Sequence, residues 1–536
     1  MNKSVQNTYT SLEAERRTYL ERGRDSARLT IPTLLPAEGD NFSTTYPSPY
    51  QSVGARGVNN LAASLLLSLL PPNAPFFRLR MNPKELARVE QSADQGEAWK
   101  TDFEVAMGKV ERFIMSEIET QSYRIQTFEA LKHLIVSGNI LLHFSEDGGM
   151  RVIHLDRYVV KRCPQGKTRL IIVKETIMAD MLSEPAKAIL AQQNDIDTTN
   201  GIDLYTCVKY YEERKKSKSA KMVSIYQEIF GQVIPETEGV ISAEECPYLP
   251  LRMLRAEGEN YGRGYVEQYI GDLKSLESLM MAVVEAAAAA SKCLFLVAPN
   301  GVTRSRVLAE APNGAIVEGN AQDVSVLGLN KNNDFAIASQ TIQTLSDRLA
   351  YAFLLTDNAI RQAERVTAAE VRLVTQSIER QLGGIYSVLS QEFQLPLVQH
   401  LVKQMGIEKK IPKLDKKAVS PQITTGVEAL GRGNDLNKMD EFLVGIGQLL
   451  GPEVLGQFIN YREYLDRRAL ALGIDTHNLI KSPEQIAQEQ QMAMMQQMGG
   501  QNMMQQMGGD PGAGGGDLGE EAPGLPAEEV DTEMAL

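Results

Sequence analysis

Two glycine-lysine pairs, Gly108-Lys109 and Gly166-Lys167, could in principle cradle a phosphate, but neither has the upstream glycine that a P-loop needs. The run "YGRGYVEQY" places Gly262 and Gly264 ahead of a helix, yet Glu267 stands where a dinucleotide fingerprint has its third glycine, so these glycines read as a turn. His133, His143, His154, His400 and His477 make no HExxH pair, and a lone histidine on an apolar helix, such as His133, reads as packed. There is no GxSxG nucleophile elbow. No metal ligand set and no cofactor motif stands out. Asp and Glu are plentiful, so a metal site built from distant carboxylates stays open, and with it a nucleic-acid enzyme as the alternative reading.

Charge chemistry is more suggestive than catalysis at one stretch, "ERVTAAE", residues 364–370. Thr367 followed three residues later by Glu370 is a capping box, in which each side chain satisfies backbone N–H groups orphaned in the first turn of a helix. That accounts for Thr367 and Glu370. Arg361, Glu364 and Arg365 are left as loop charges, either solvated or presented to a partner.

The chain that must position these residues is 536 long and 43% hydrophobic, enough for several packed regions, since single cores stop growing near roughly 250–300 residues. Its formal charge is −13, but the eight acids of the stretch from Asp510 to Leu536, which has no base, leave a body of about −5. A broad basic clamp on nucleic acid is excluded, and any such contact must be local. Cys163, Cys207, Cys246 and Cys293 lack CxxC spacing, which points to reduced thiols and synthesis in a cytoplasm. The N-terminal run "MNKSVQNTYTSLEAERRTYL" has no apolar core and is not expected to be a secretory signal. In "SLMMAVVEAAAAASKCLFLVAP", Glu285 and Lys292 interrupt a stretch that could imitate a membrane span or a pore-forming segment; it reads better as a helix running into a strand.

Periodicity predicts a polar helix over 4–28, a Pro-rich connection, and a helix over 53–70 whose apolar residues nearly encircle it. Further helices are expected over 83–122, with a break near Gly96, and over 123–136. Short alternating runs between 139 and 255, with one helix near 178–192, make that part α+β. The order then becomes informative. A helix from about 264 to 292 leads into "CLFLVAP", "GAIVEG" and "VSVLGL", after which Asn333 or Asp334 starts a second helix to about 355. At 1.5 Å per residue these helices would be roughly 45 and 33 Å long, an outward and a returning arm with a small β tip between them. After a loop over 356–366, "TAAEVRLVTQSIERQLGGIYSVLSQEFQLPLV" keeps a helical pattern that Gly383, Gly384 and Pro396 are expected to bend. Residues 426–487 read as more helices, and the Met/Gln/Gly-rich and acidic tail from 488 to 536 as disorder.

The runs "VGARGVNNLAASLLLSLLPPNAPFFRL", "FEALKHLIVSGNILL", "ECPYLPLRMLR", "YGRGYVEQYIGDLKSLESL" and "ERVTAAEVRLV…LGGIYSVLSQEFQLPLV" resemble, in the same order, the portal proteins or head-to-tail connectors of short-tailed, podovirus-type bacteriophages. The resemblance spans residues from about 8 to 480. It implies a mainly helical α+β subunit that assembles as a ring, usually a dodecamer, at one capsid vertex, with double-stranded DNA passing through the centre. By position it implies an N-terminal wing over 1–263, stem helices over 264–293 and 333–355, and a clip over 294–332. A channel loop over 356–366, a kinked helix and wing return over 367–425, and a crown over 426–487 complete the order. It puts Arg361, Glu364 and Arg365 where the channel narrows and Thr367 and Glu370 at the start of the kinked helix. Arg304 and Arg306 fall in the clip, facing a terminase and a tail adaptor. Capsid, scaffolding and internal core proteins are the other implied partners. The family's packaging ATPase is a separate terminase, in keeping with the missing P-loop. The family is not enzymatic, carries no cofactor or metal, and does not insert into membranes.

Overall fold

The computed structural model describes residues 4–355 and 382–423, apart from positions 38, 41–42, 73–74, 86–87, 89–97, 146–147, 193–200, 216–217, 291–293, 313, 328–331 and 413–417, together with a few positions between 440 and 468. The chain divides into two compact units, Met1–Glu441 and Phe442–Leu536. In the second unit Arg468 donates to the Tyr464 hydroxyl at 2.6 Å and lies over its ring.

The first unit opens with helix α1, Val5–Arg28, whose run of Glu, Arg and Leu favours helix. Its cap comes from a distant strand. The buried carboxylate of Glu228 accepts from the Ser4 hydroxyl at 2.5 Å and from the backbone N–H groups of Val5 and Gln6 at 3.0 and 3.2 Å, satisfying donors that the helix itself cannot. Helix α2, Val53–Leu69, is exposed at Arg56, Asn59 and Ala63 and buried or partly buried at its other positions. Strand β1, Phe77–Met81, leads to α3, Ala98–Thr120, and α4, Tyr123–Ser137. Glu111 of α3 reaches back to accept from the Leu79 N–H at 2.8 Å.

Strands β2, Asn139–Phe144, and β3, Met150–Ile153, begin the sheet region, followed by β4, Tyr158–Arg162, and β5, Thr168–Ile177. Helix α5, Glu184–Leu190, precedes the long hairpin β6, Ile202–Lys215, and β7, Lys218–Ile229. Then come β8, Gln232–Val233, β9, Gly239–Ser242, and β10, Tyr248–Arg252. All pairings are antiparallel. One sheet has the order β10-β2-β3, and a six-stranded sheet runs β4-β5-β6-β7-β8 with β9 also on β7.

Two sequence expectations change here. Among the short runs expected between 139 and 255, "VIHLDRYVV" forms the end of β3 and the start of β4, because a 3-10 turn at Leu155–Arg157 divides it. Buried Arg16 of α1 holds that turn, donating to the backbone carbonyls of Asp156 and of Tyr158, the latter at 3.3 Å. The helix expected over 178–192 is a 3-10 turn at Ala179–Met181 followed by α5, with Pro185 in the first turn of α5, a position where its missing N–H costs nothing.

Next come α6, Ile270–Ala290, β11, Leu294–Val297, α7, Ser305–Glu310, β12, Val324–Leu327, and α8, Asn332–Ala352. Residues 382–389 are helical and continue through a π turn at Ser390–Gln394 into α9, Leu395–Ile407. Strand β13, Val419–Ile423, returns to pair with β1, from Phe77↔Ile423 to Met81↔Val419. One core joins α2, α3, α4, α6, α8, α9 and the β2 sheet.

A close helix contact in this core is where α2 meets the end of α8. A Cβ at Gly57 would lie 2.6 to 2.9 Å from Phe353, a fully buried ring, so glycine is needed for the approach. Gly57→Ala gains about 1 kcal/mol of helix propensity, but the overlap should outweigh it and leave a net loss of roughly 1–2 kcal/mol, read as a lower urea midpoint. The core also holds neutral histidines. Burial, with lesser repulsion from His154 and Lys132, pushes His133 down to about 4, and burial with Lys403 and His143 does the same to His400. His143 and His154 are depressed by burial too. The unfolded chain protonates His133 and His400 near 6.5 while the folded chain resists until about 4, so their stabilisation is complete above 6.5 and is lost as pH falls through that window. The urea midpoint should therefore drop between about pH 7 and about pH 5, and His133→Gln, which has no proton to gain, should reduce the drop.

Candidate functional site

Helices α6 and α8 are 21 residues each, about 31 Å long. They run antiparallel, with Leu273 and Leu276 of α6 and Leu345 and Leu349 of α8 in the core and Asp272 paired with Arg348 at 3.0 Å. The first arm is shorter than the sequence suggests, because Val266–Tyr269 is a 3-10 turn. Tyr265, just before it, is buried and donates its hydroxyl to the Ala352 carbonyl at 2.9 Å. Away from this end the apolar side chains lose their partners: Met281, Val284 and Ile337 are exposed.

Between the arms, β11 and β12 pair antiparallel from Leu294↔Leu327 to Val297↔Val324. The connection between them is gathered by Asp323, whose Oδ2 accepts from the N–H groups of Val302 and Thr303 at 2.8 and 3.2 Å and from the Thr303 hydroxyl at 3.2 Å. Arg304 and Arg306 are both exposed here. Arg306 pairs with Glu310 one turn on, at 2.9 Å, an exposed pair of little energetic weight.

The end of α8 is a fixed base for the chain that leaves it. Leu354 has φ 58°, the left-handed position that normally takes glycine, and it costs a leucine about 1–2 kcal/mol. Surrounding contacts hold it there. The Phe353 N–H bonds to the Leu349 carbonyl at 2.9 Å and the Leu355 N–H to the Ala350 carbonyl at 2.8 Å. The Nδ2 of Asn60 on α2 donates to the carbonyls of Phe353 and Leu354 at 3.1 and 3.0 Å. On the returning side, the Tyr386 hydroxyl donates to the Ser68 carbonyl at 3.1 Å and Gln394 Nε2 to the Leu69 carbonyl at 2.5 Å. Both anchors are on α2, eight residues and so about 12 Å apart along its axis. The 26 residues from 356 to 381 join them, far more chain than the gap requires.

Of the residues singled out from the sequence, Arg361, Glu364, Arg365, Thr367 and Glu370 lie outside the described residues, as do the tail and nearly all of the 426–487 segment. Gly383 and Gly384 lie within the helical stretch 382–389, with open space where a Cβ would stand. The departure from α geometry is the π turn at Ser390–Gln394, which ends two residues before Pro396, whose missing N–H leaves the regular ladder one donor short. Sequence reasoning missed Asn60, Tyr265, Leu354, Tyr386 and Gln394. Asn60 alone gave a signal, as an amide beside the apolar run that follows it in the same helix. Among the described residues no three His, Cys, Asp or Glu side chains are grouped to hold a metal ion, and no helix is long and apolar enough to cross a membrane.

Residues 2–480 match the protein family described as bacteriophage head to tail connecting protein. The portal protein of Escherichia phage T7 is 40% identical over 498 residues, 92% of this chain and 91% of that one. The portal protein of Enterobacteria phage T3 is 39% identical over 521 residues, 96% of this chain and 94% of that one. A chain from the neck of an empty gene transfer agent particle is a more distant match, 11% identical with a TM-score of 0.36, covering 79% of this chain and 90% of that one. With the family matched along nearly all of the described fold and two-fifths of its residues shared with a portal protein of similar length, this chain belongs to the bacteriophage head to tail connecting proteins.

Proposed function

We propose that this protein is the portal subunit of a short-tailed phage, forming a ring, with twelve copies the expected number, at one vertex of the head through which double-stranded DNA is packaged and ejected. The observation that carries this reading is the projecting pair α6 and α8, capped by the β11–β12 tip and exposing Met281, Val284 and Ile337 in the isolated chain. Exposed apolar side chains on long helices favour neighbours of the same kind. On this reading α6 and α8 are the stem and the tip between them is the clip. Residues 1–263 form the wing, and 426–487 the crown. Electron micrographs of the purified protein should show rings with a central hole; uniformly monomeric particles would overturn the reading.

The segment over 356–366 is assigned to the channel loop. Support comes from its two anchors on α2, which leave surplus chain between them, and from the charges Arg361, Glu364 and Arg365 in its sequence. A ring repeats each arginine in every subunit, so weak phosphate contacts are multiplied without any reading of sequence, and Glu364 limits their pull. Replacing all three residues with alanine should leave rings intact and lower the DNA retained in filled heads; heads that package and retain DNA at the parental level would move the channel contact elsewhere. The clip is assigned to docking of terminase and tail adaptor, with capsid, scaffolding and internal core proteins contacting other parts of the ring. Reversing the charge of Arg304 and Arg306 should weaken pull-down of terminase or adaptor by assembled rings, and unchanged capture of both would remove these residues from the docking face.

A further inference from the structure

We propose that Arg252 and Arg255, backed by Arg162, form a binding pocket for a phosphate-class oxyanion at the turn between β4 and β5. That turn is closed by the Cys163 N–H on the Lys167 carbonyl at 2.9 Å and the Gly166 N–H on the Cys163 carbonyl at 2.8 Å. Gly166 has φ +82°, and a Cβ there would stand 3.1 Å from Nη2 of Arg255 and 3.3 Å from Nη2 of Arg252. Two guanidinium ends, one from the last residue of β10 and one from just beyond it, therefore converge on one point over a bare glycine.

The third arginine builds the wall. Arg162 donates from Nη1 to the Gly166 carbonyl at 3.2 Å and the Thr168 hydroxyl at 3.1 Å, from Nε to the Asn260 carbonyl at 3.0 Å, and from Nη2 to the Pro250 carbonyl at 3.0 Å. Arg252 is left short. It is 2% exposed, donates from Nη1 to the Glu259 carbonyl at 3.2 Å, and its buried Nε finds no partner among the described residues. Arg255 is 44% exposed and pairs with Glu392 at 3.1 Å. The carboxylate of Glu259 is engaged elsewhere, by Arg263 at 2.7 Å.

Three guanidinium groups thus face one carboxylate. Burial first, and then repulsion from Arg252, hold Arg162 down at about 10, and burial with repulsion from Arg255 depresses Arg252. A doubly charged oxyanion would relieve that repulsion, and its oxygens match the planar forks of arginine better than they match a single ammonium. The half-exposed Arg255 and Gly166 leave the mouth open to solvent. Glu392 belongs to the π turn, so an anion that takes Arg255 also removes the cation held by that turn. The phosphate could be a free ion or belong to the DNA backbone, and the chemistry is shared.

Calorimetric titration of the full-length protein with sodium phosphate at low ionic strength separates these cases. Saturable binding is expected, weakened about tenfold or more by Arg255→Ala. Glu392→Gln should tighten it, a gain that a purely structural Arg255–Glu392 pair would not give. Thermal unfolding checks each variant; should Arg255→Ala not fold, Arg255→Lys, which keeps the charge and loses the fork, should still weaken binding. Absence of saturable binding, equal affinity in all variants, or a loss with Arg255→Ala unaccompanied by a gain with Glu392→Gln overturns the proposal. Displacement of phosphate by a short DNA duplex assigns the site to the DNA backbone, and retention assigns it to the free ion.

Discussion

Helix α2 ends inside the protein, and much of the fold answers that fact. The last carbonyls of a helix have no partner within it, and leaving them unpaired away from water costs about 1–3 kcal/mol each. The carbonyls of Ser68, Leu69 and Leu70 receive Tyr386, Gln394 and Arg124, donors 318, 325 and 54 residues away along the chain. The same helix supplies Asn60 to the end of α8 and Gly57 to the Phe353 ring. One buried helix thus ties the outgoing and returning halves of the chain to a single axis. The described residues on either side of 356–381 are both anchored to it.

Elsewhere too, buried polar groups set the arrangement that apolar burial stabilises. Asn139 exchanges two hydrogen bonds with the backbone of Gly262, both at 2.7 Å, locking the start of β2 to the approach to α6. Glu228 performs the same task for α1, and Arg16 for the turn at Leu155–Arg157. Hydrophobic contacts tolerate sliding, whereas a hydrogen bond in a low-dielectric interior is lost within a fraction of an ångström. The pairing is not complete everywhere: the Nε atoms of Arg16 and Arg252 are both buried without a partner among the described residues, and that of Arg252 belongs to the arginine cluster at the β4–β5 turn.

The pair α6 and α8 follows a different logic. Its inner end is packed and fixed by Tyr265, Asp272 and Arg348, while toward the tip α6 runs through alanines with Met281 and Val284 exposed. Such a helix has little of its own to bury against in one copy. Small side chains let a neighbouring helix approach closely, so a repeat of the same subunit is the surface that fits the proposed ring.

The sequence by itself determined the local elements and the family. Proline, glycine and the helical repeat set the limits of α1, α2 and α4 to within a residue or so, because those signals act between near neighbours. The out-and-back order of α6, β11, β12 and α8 was legible for the same reason, and the long runs shared in order carried the resemblance. Only the tertiary structure decided the rest. The pairing of β1 with β13 joins residues more than 300 apart, and no periodicity in either short segment announces its partner. The expected bend at Gly383, Gly384 and Pro396 was a matter of propensity; the π turn at Ser390–Gln394 also reflects Gln394 reaching the Leu69 carbonyl. Arg162, Arg252 and Arg255 gave no motif, since what brings them together is the antiparallel sheet framework and the bare Cα of Gly166. A single polar atom that needs one distant partner leaves no repeating trace along the chain, and that is why helices could be read from sequence while caps, anchors and the arginine cluster could not.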